Sequence, residues 1–285
     1  MPDTTPDSSG ISFTALYTGA VWQHNQLSDP LLATPRGELL YHLMAPFDGA
    51  SRLIAGGNLR NYLLQRHLII DALIAKAVED AGVTHVVEIA CGLSPRGLRL
   101  RQRYPHLTVI EADLPAMAAR KADALGAAGV DPQHHRVCPV DILAGDGDHT
   151  LEALLTTQCP AGKPVVVITE GLINYFTLPV ISGFWQRLAT LLAQRPGSRY
   201  LFDSFSLPAN PLVRSGILTL KNLLGGLTRS AVSLHFDSDQ AAIRHLGNCG
   251  FAQVFSHNPE QYYRVLPIPQ SRGNPLVRII EARQG

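Results

Sequence analysis

Residues 86–97 read Val-Val-Glu-Ile-Ala-Cys-Gly-Leu-Ser-Pro-Arg-Gly. A short apolar run ends in an acid, passes through small residues and glycine, and leads into a helix-like segment. This layout suits a strand, a tight turn and a helix, with a nucleotide-type ligand lying across the C-terminal edge of a parallel sheet. Glycine and alanine let the backbone approach such a ligand, and the following helix offers free N–H groups.

The same rhythm continues downstream. β-like runs at 85–90, 107–113, 136–142, 164–171 and 198–205 alternate with helical patterns such as 115–125 and 178–192. Thr177 is placed to cap the second of these helices. Runs rich in Val and Ile without strict alternation suit strands covered on both faces, hence a parallel sheet. Two further runs, 251–255 and 277–282, have no strong helix between them, and the proline-rich, polar stretch 258–275 can join them as antiparallel neighbours at one edge. Residues 11–80 read as mostly helical and 1–10 as a short disordered tail. Residues 206–240 interrupt the pattern after the fifth run, with an apolar piece at 211–227. An insertion there overhangs the C-terminal sheet edge as a lid or substrate wall, or else forms a surface helix pair with a packing role. The expectation is one doubly wound, Rossmann-like α/β domain over residues 1–285, with N-terminal helices and a helical lid insertion.

Composition removes several function classes. Lys and Arg number 24 against 23 Asp and Glu, a net charge of +1 that supplies no basic field for nucleic acid. No apolar stretch reaches the ~18 residues of a membrane span, and the N-terminus lacks the basic and apolar regions of a secretion signal. Four scattered cysteines (Cys91, Cys138, Cys159, Cys249) without a Cys-x-x-Cys pair argue against zinc or a disulfide framework. A cytoplasmic enzyme acting on a small molecule, with no metal, fits these features.

Glu88 closes the first strand, where it can accept hydrogen bonds from the turn amides or a ligand ammonium, or simply end a buried strand. Ala90 and Ser94 stand where a dinucleotide fingerprint wants glycine, while Gly92 and Gly97 remain. That loss disfavours a pyrophosphate and suits S-adenosylmethionine, which carries no phosphate. Asp113 ends the second strand, at the interval expected of a carboxylate that takes both ribose hydroxyls; preceding Leu114-Pro115, it is also a good helix cap. Glu111 is the alternative ribose acid, and Asp141 follows the third strand where an adenine amino group would be met. On a helix over 59–78, Leu59, Leu63, Ile70, Leu73 and Ala77 form one apolar stripe with Arg66 in its middle. A buried guanidinium needs an anion, either a ligand carboxylate or a core acid such as Glu88. Arg60 falls off the stripe and reads as solvated; His24, His134 and His135 read as loop and surface residues rather than ligands. The fourth strand ends in Thr169-Glu170, where a carboxylate at a sheet edge needs a cation or donors, and Tyr175 follows within reach of that edge.

Three motifs together, Glu88-Ile-Ala-Cys-Gly-Leu-Ser-Pro-Arg-Gly, Glu-Ala-Asp-Leu-Pro at 111–115 and Glu170-Gly-Leu-Ile-Asn-Tyr, resemble the leucine carboxyl methyltransferase family, which includes polyketide carboxyl methyltransferases. The resemblance runs from about residue 55 to the end of the fifth strand. It implies a class I methyltransferase fold using S-adenosyl-L-methionine. It further implies that Arg66 holds the methionine carboxylate, the Glu88–Gly92 turn the methionine part, Asp113 the ribose and Asp141 the adenine. Glu170 would line the reacting end and Tyr175 the acceptor pocket. Ser94-Pro95 departs from the acid-Thr pair that the family commonly shows after its Gly-Leu, which puts Arg96 in a differently shaped turn. Methyl transfer to a carboxylate needs little acid–base help; a hydroxyl acceptor would need a base, for which His235 is the one candidate. The expected activity is O-methylation of a small molecule at a carboxylate or hydroxyl. The alternatives are a protein C-terminal carboxyl methyltransferase, a nicotinamide oxidoreductase and a non-catalytic ligand-binding module.

Overall fold

Along β1 (His85–Ile89) successive side chains enter two different cores. Val87 and Ile89 pack with α6 (Leu151–Gln158) and α7 (Leu178–Ala193), whereas Val86 packs with α3 (Leu59–Ala81) and α4 (Arg96–Arg103). β4 (Val165–Thr169) repeats the division, with Val165 and Val167 on the first face and Val166 and Ile168 on the second. Burial on both faces is why these runs show no polar alternation.

The computed structural model describes residues 9–55, 58–205, 233–272 and 275–284. With β2 (Thr108–Asp113), β3 (His135–Pro139), β5 (Arg199–Phe205), β6 (Gln253–His257) and β7 (Val277–Arg283), the strands form one seven-stranded sheet in the order β3-β2-β1-β4-β5-β7-β6. The first five are parallel, and β7 runs antiparallel to both β5 and β6. The strand order reverses between β1 and β4, so the crevice of a doubly wound sheet opens outside their C-terminal ends. The expected runs match these strands closely, except that the third begins at His135 and stops at Pro139 and the sixth lies two residues later than expected, at Gln253–His257.

The helices before the sheet are α1 (Ser9–His24), α2 (Pro35–Ala55) and α3. α1 thus takes in the last two residues of the expected tail; the rest of the tail, residues 1–8, lies outside the described residues. Asn58 caps α3, its Oδ1 accepting the Asn61 N–H at 2.8 Å, and Gly82 ends it in the left-handed conformation. α5 (Pro115–Ala127) follows β2, and α8 (Asp239–Asn248) precedes β6. Most of the anticipated lid, 206–232, also lies outside the described residues; the segment after it has no regular secondary structure up to α8, with the Ser233 N–H donating to the Asn174 carbonyl at 2.7 Å. Among the described residues no helix is long and apolar enough to cross a membrane.

Strand alternation has an electrostatic consequence. Glu88 shares the α3/α4 face with Val86, and Glu111, its registered neighbour on β2, shares it with Val109. Like charges in direct register repel, so each carboxylate needs its own cation. Glu111 is met by the wholly buried Lys121 Nζ at 2.9 Å and by His135 Nε2 at 2.9 Å. Glu111 is therefore committed to the core and is not the ribose acid, and His135 is a buried partner, not a surface residue. Gly97 makes room for this group: a Cβ there would lie 2.5 Å from His135 Nε2 and 2.6 Å from Glu111 Oε1. Gly97→Ala is expected to cost about 1–3 kcal/mol. Gly126→Ala, on α5 with nothing within 4 Å of the new carbon, should instead stabilise the chain by up to about 1 kcal/mol. Urea unfolding of both variants checks the contrast.

Candidate active site

The turn after β1 is held in a conformation that side chains rarely adopt. Ala90 has φ 56° and Gly92 φ 48°, both left-handed. For a non-glycine residue this costs about 1–3 kcal/mol, and such strain concentrates at functional turns. The Cys91 N–H bonds to the Ala112 carbonyl (3.2 Å) and the Ser94 N–H to the Cys91 carbonyl (2.8 Å), which fixes the turn against β2. The Gly92 N–H donates to Asp113 Oδ2 at 2.7 Å and the Leu114 N–H to Asp113 Oδ1 at 2.8 Å. Asp113 is half-buried, and burial holds its carboxyl above the usual range. Each carboxylate oxygen accepts one backbone N–H and keeps lone-pair capacity for a hydroxyl. Asp113 does not cap α5: Leu114 occupies the cap position, makes no side-chain bond there, and Pro115 opens the helix.

On the neighbouring strand, the half-buried Asp141 follows β3 and accepts the Leu143 N–H at 2.9 Å through Oδ1. Leu114 and Leu143, which follow these two acids closely, are exposed apolar side chains at 40% and 52%. Exposed apolar side chains next to carboxylates suit a flat heteroaromatic ring that carries an amino group.

Beside this turn lies a buried charge cluster. Arg66 donates from Nε to Glu170 Oε1 and from Nη1 to Asp203 Oδ2, each at 2.9 Å. Its anion is therefore a pair of core acids, neither of them Glu88. Its Nη2 makes no hydrogen bond among the described residues, and Gly171, with φ 70°, leaves space for it: a Cβ there would stand 3.0 Å away. Burial works against the Arg66 charge, but Asp203 and Glu170 outweigh it and raise its pKa. Arg96, wholly buried, bonds to Asp71 Oδ1 (2.7 Å) and also pairs with Glu88 and Glu170. Ser94 Oγ donates to Glu88 at 3.0 Å. Glu88 is thus turned inward, gripping Ser94 and Arg96, and burial raises its pKa. Glu170 is also turned inward: burial opposes its charge, yet His67, Arg96 and Arg66 hold it well below the usual carboxylate range. The cations that this edge carboxylate requires all belong to the protein itself.

His67 and Asp203 lie outside the sequence reading, although an acid in the fifth apolar run and a histidine beside Arg66 were signals for both. Asp203 accepts the Gly171 N–H at 2.6 Å, tying β5 to the turn after β4. His67 lies 2.9 Å from Glu170 through Nδ1 and 2.9 Å from Arg99 Nη1 through Nε2. Arg96 Nη2 also lies 2.9 Å from Nδ1, so a guanidinium faces each ring nitrogen and the ring is held neutral. Trp22 of α1 packs on the ring at 4.6 Å.

Tyr175 lies half-buried at the end of the 3-10 turn Ile173–Tyr175. His235 joins the same turn, with Nε2 3.0 Å from the Ile173 carbonyl and its ring beside Phe236. Arg60 is not merely solvated: it stacks 3.7 Å over Tyr41 and donates to the Tyr41 carbonyl at 2.8 Å.

The cluster gives stability a pH dependence. Burial, reinforced by Arg96, pushes His67 down to about 3, so the folded chain excludes a proton that the unfolded chain takes up near pH 6.5. Stability from this group falls as pH drops from about 6.5 toward 3. Glu170, also depressed, adds its loss only below the ordinary carboxyl pKa of about 4.3. Between about pH 6 and pH 5 the native chain should lose about 1 kcal/mol more than His67→Gln, measured by urea unfolding at the two pH values.

A model of the leucine carboxyl methyltransferase family matches residues 27–182, more than half of the chain. A provisionally named S-adenosyl-L-methionine-dependent methyltransferase from Mycobacteroides abscessus is 31% identical over 148 residues, covering 52% of this chain and 45% of that one. The chain spans under half the length of the curated relatives it matches. Among solved structures, a provisionally named methyltransferase from Thermobifida fusca superposes with a TM-score of 0.66 at 14% identity, over 99% of both chains. A DUF574 family protein from Streptomyces avermitilis gives 0.65 at 13% identity, over 95% of this chain and 97% of its own. The chain belongs to the leucine carboxyl methyltransferase family, built on the fold of the S-adenosyl-L-methionine-dependent methyltransferases.

Proposed function

We propose that this chain transfers the methyl group of S-adenosyl-L-methionine to an oxygen of a small molecule, with a carboxylate as the acceptor. The observation that carries the reading is the clasp of Asp113 on the left-handed Ala90–Gly92 turn, beside the point where the strand order reverses. The cofactor fits the groups present. Asp113 offers acceptors to the ribose hydroxyls, Leu114 and Leu143 offer apolar contact to the adenine, and the second oxygen of Asp141 faces its amino group. Arg66 Nη2 remains for the methionine carboxylate, while the backbone turn, rather than the inward-facing Glu88, meets the methionine part. When bound, the cofactor supplies an electrophilic methyl group on a sulfonium.

The protein's task is then alignment and exclusion of water, because a carboxylate acceptor is already anionic near pH 7. Tyr175 orients the acceptor oxygen from the 3-10 turn. Glu170 acts through Arg66 and Arg96, keeping both guanidiniums in place. A hydroxyl acceptor is the second reading, favoured by one observation: His235 engages the turn that carries Tyr175, leaving Nδ1 as its remaining basic atom. Four unpaired cysteines support a reducing, cytoplasmic setting, with the chain acting as one catalytic unit.

Calorimetric titration with S-adenosylhomocysteine, with NADH run in parallel, tests the cofactor. Micromolar adenosylhomocysteine binding, weakened about tenfold or more by Asp113→Ala, is the expected result. Nicotinamide binding instead, or an unchanged affinity in Asp113→Ala, would falsify the assignment. Once an acceptor is found, kcat for a carboxylate should be flat above about pH 6, and His235→Ala should leave it within about threefold. A rate that climbs with pH and collapses in His235→Ala would mark a hydroxyl acceptor. Methylation of a peptide C-terminus in place of small acids would establish the protein-directed alternative.

A further inference from the structure

Outside the buried cluster, three residues spread over 18 positions of sequence meet on the surface. Glu38 and His42, one helical turn apart on α2, project from the same face, and His24 reaches them from the C-terminal end of α1. His24 Nε2 lies 2.8 Å from Glu38 Oε2, and His42 Nε2 lies 2.9 Å from Glu38 Oε1. All three ligand atoms fall within 4.8 Å of one another. Ligand atoms around a tetrahedral Zn2+ are about 3.3 Å apart, so small side-chain rotations admit the ion. The His24 ring is set in place by stacking on Tyr41, 3.8 Å between centroids and 4° from parallel. The hydrogen bond from His24 holds the Glu38 carboxyl below its ordinary value, so it is an anion at neutral pH.

We propose that His24, Glu38 and His42 form a binding site for a divalent first-row transition metal, with Zn2+ its natural fit. Two imidazoles and one carboxylate match the ligand preferences of Zn2+, Ni2+ and Cu2+ and do not match those of Mg2+. A hollow of about 400 Å3 adjoins Glu38, lined also by Ala20, Gln23, Ala33, Thr34 and Pro35. The hollow leaves room beside Glu38 for water or a small ligand in the fourth coordination position. His24 is exposed, as the sequence reading has it, and its companions lie 14 and 18 positions away. The ion would tie the end of α1 to α2, two residues beyond Trp22, which rests on His67.

Titration of the chelator-treated full chain with ZnCl2 in a non-coordinating buffer tests the site. One equivalent bound at micromolar affinity is expected, about 100-fold weaker in His42→Ala and in His24→Ala, with no Mg2+ binding. Both histidines are partly exposed, so neither variant threatens the fold. Co2+ in place of Zn2+ should give a spectrum without thiolate charge transfer. Zinc binding that survives both substitutions, a thiolate band from one of the four cysteines, or no saturable binding at all overturns the proposal. None of these outcomes bears on the adenosylhomocysteine titration, so the two readings stand or fall separately.

Discussion

Arg96 is the cation that the C-terminal edge of the sheet is assembled around. Its guanidinium, fully withdrawn from solvent, reaches Asp71 on α3, Glu88 on β1 and Glu170 after β4. Deleting one member of such a buried group costs about 3–5 kcal/mol, mostly through the charge left unpaired. Four acids (Asp71, Glu88, Glu170, Asp203) face three guanidiniums (Arg66, Arg96, Arg99). Within this group burial raises the pKa of Glu88. On the proposed reading, the ammonium and sulfonium of the cofactor bring to this edge the positive charge that the protein side lacks.

The fold was legible because its cause is local. Val and Ile runs such as 164–171 advertise two-sided burial, and the weak helix signal between 251 and 282 marks the antiparallel pair. The site was legible only in part. Arg66 stood out because a charge in an apolar stripe contradicts its surroundings, and Asp113 because its interval after Gly92 matches the geometry of the edge. The partners of Arg66 were not legible: Glu170 and Asp203 lie 104 and 137 positions away and are chosen by strand order. Glu88 and Glu170 suggested ligand contacts because a sequence shows a carboxylate at an edge but not the arginines that occupy it. His135 misled for the converse reason, since β3 begins one residue earlier than its apolar run and carries His135 inside.

α1 connects these levels. Its Trp22 covers the neutral ring of His67, and its Ala15 lies 3.6 Å from where a Gly92 side chain would begin. Any residue but glycine at 92 would therefore meet both an unfavourable left-handed backbone and the underside of α1. The first helix is part of the wall around the turn, although it stands outside the doubly wound unit.

The placing of β7 bears on how the molecule is made. β5 carries Asp203, the second anchor of Arg66, and its outer neighbour is the last strand among the described residues. On a ribosome, β5 emerges with one side paired to β4 and the other open until β6 has passed and β7 can slide between them. Through that interval a row of free backbone groups on a hydrophobic strand is a template for the wrong partner. The chain's exposure to misassembly is therefore set by the order of synthesis, and it ends only when β7 arrives.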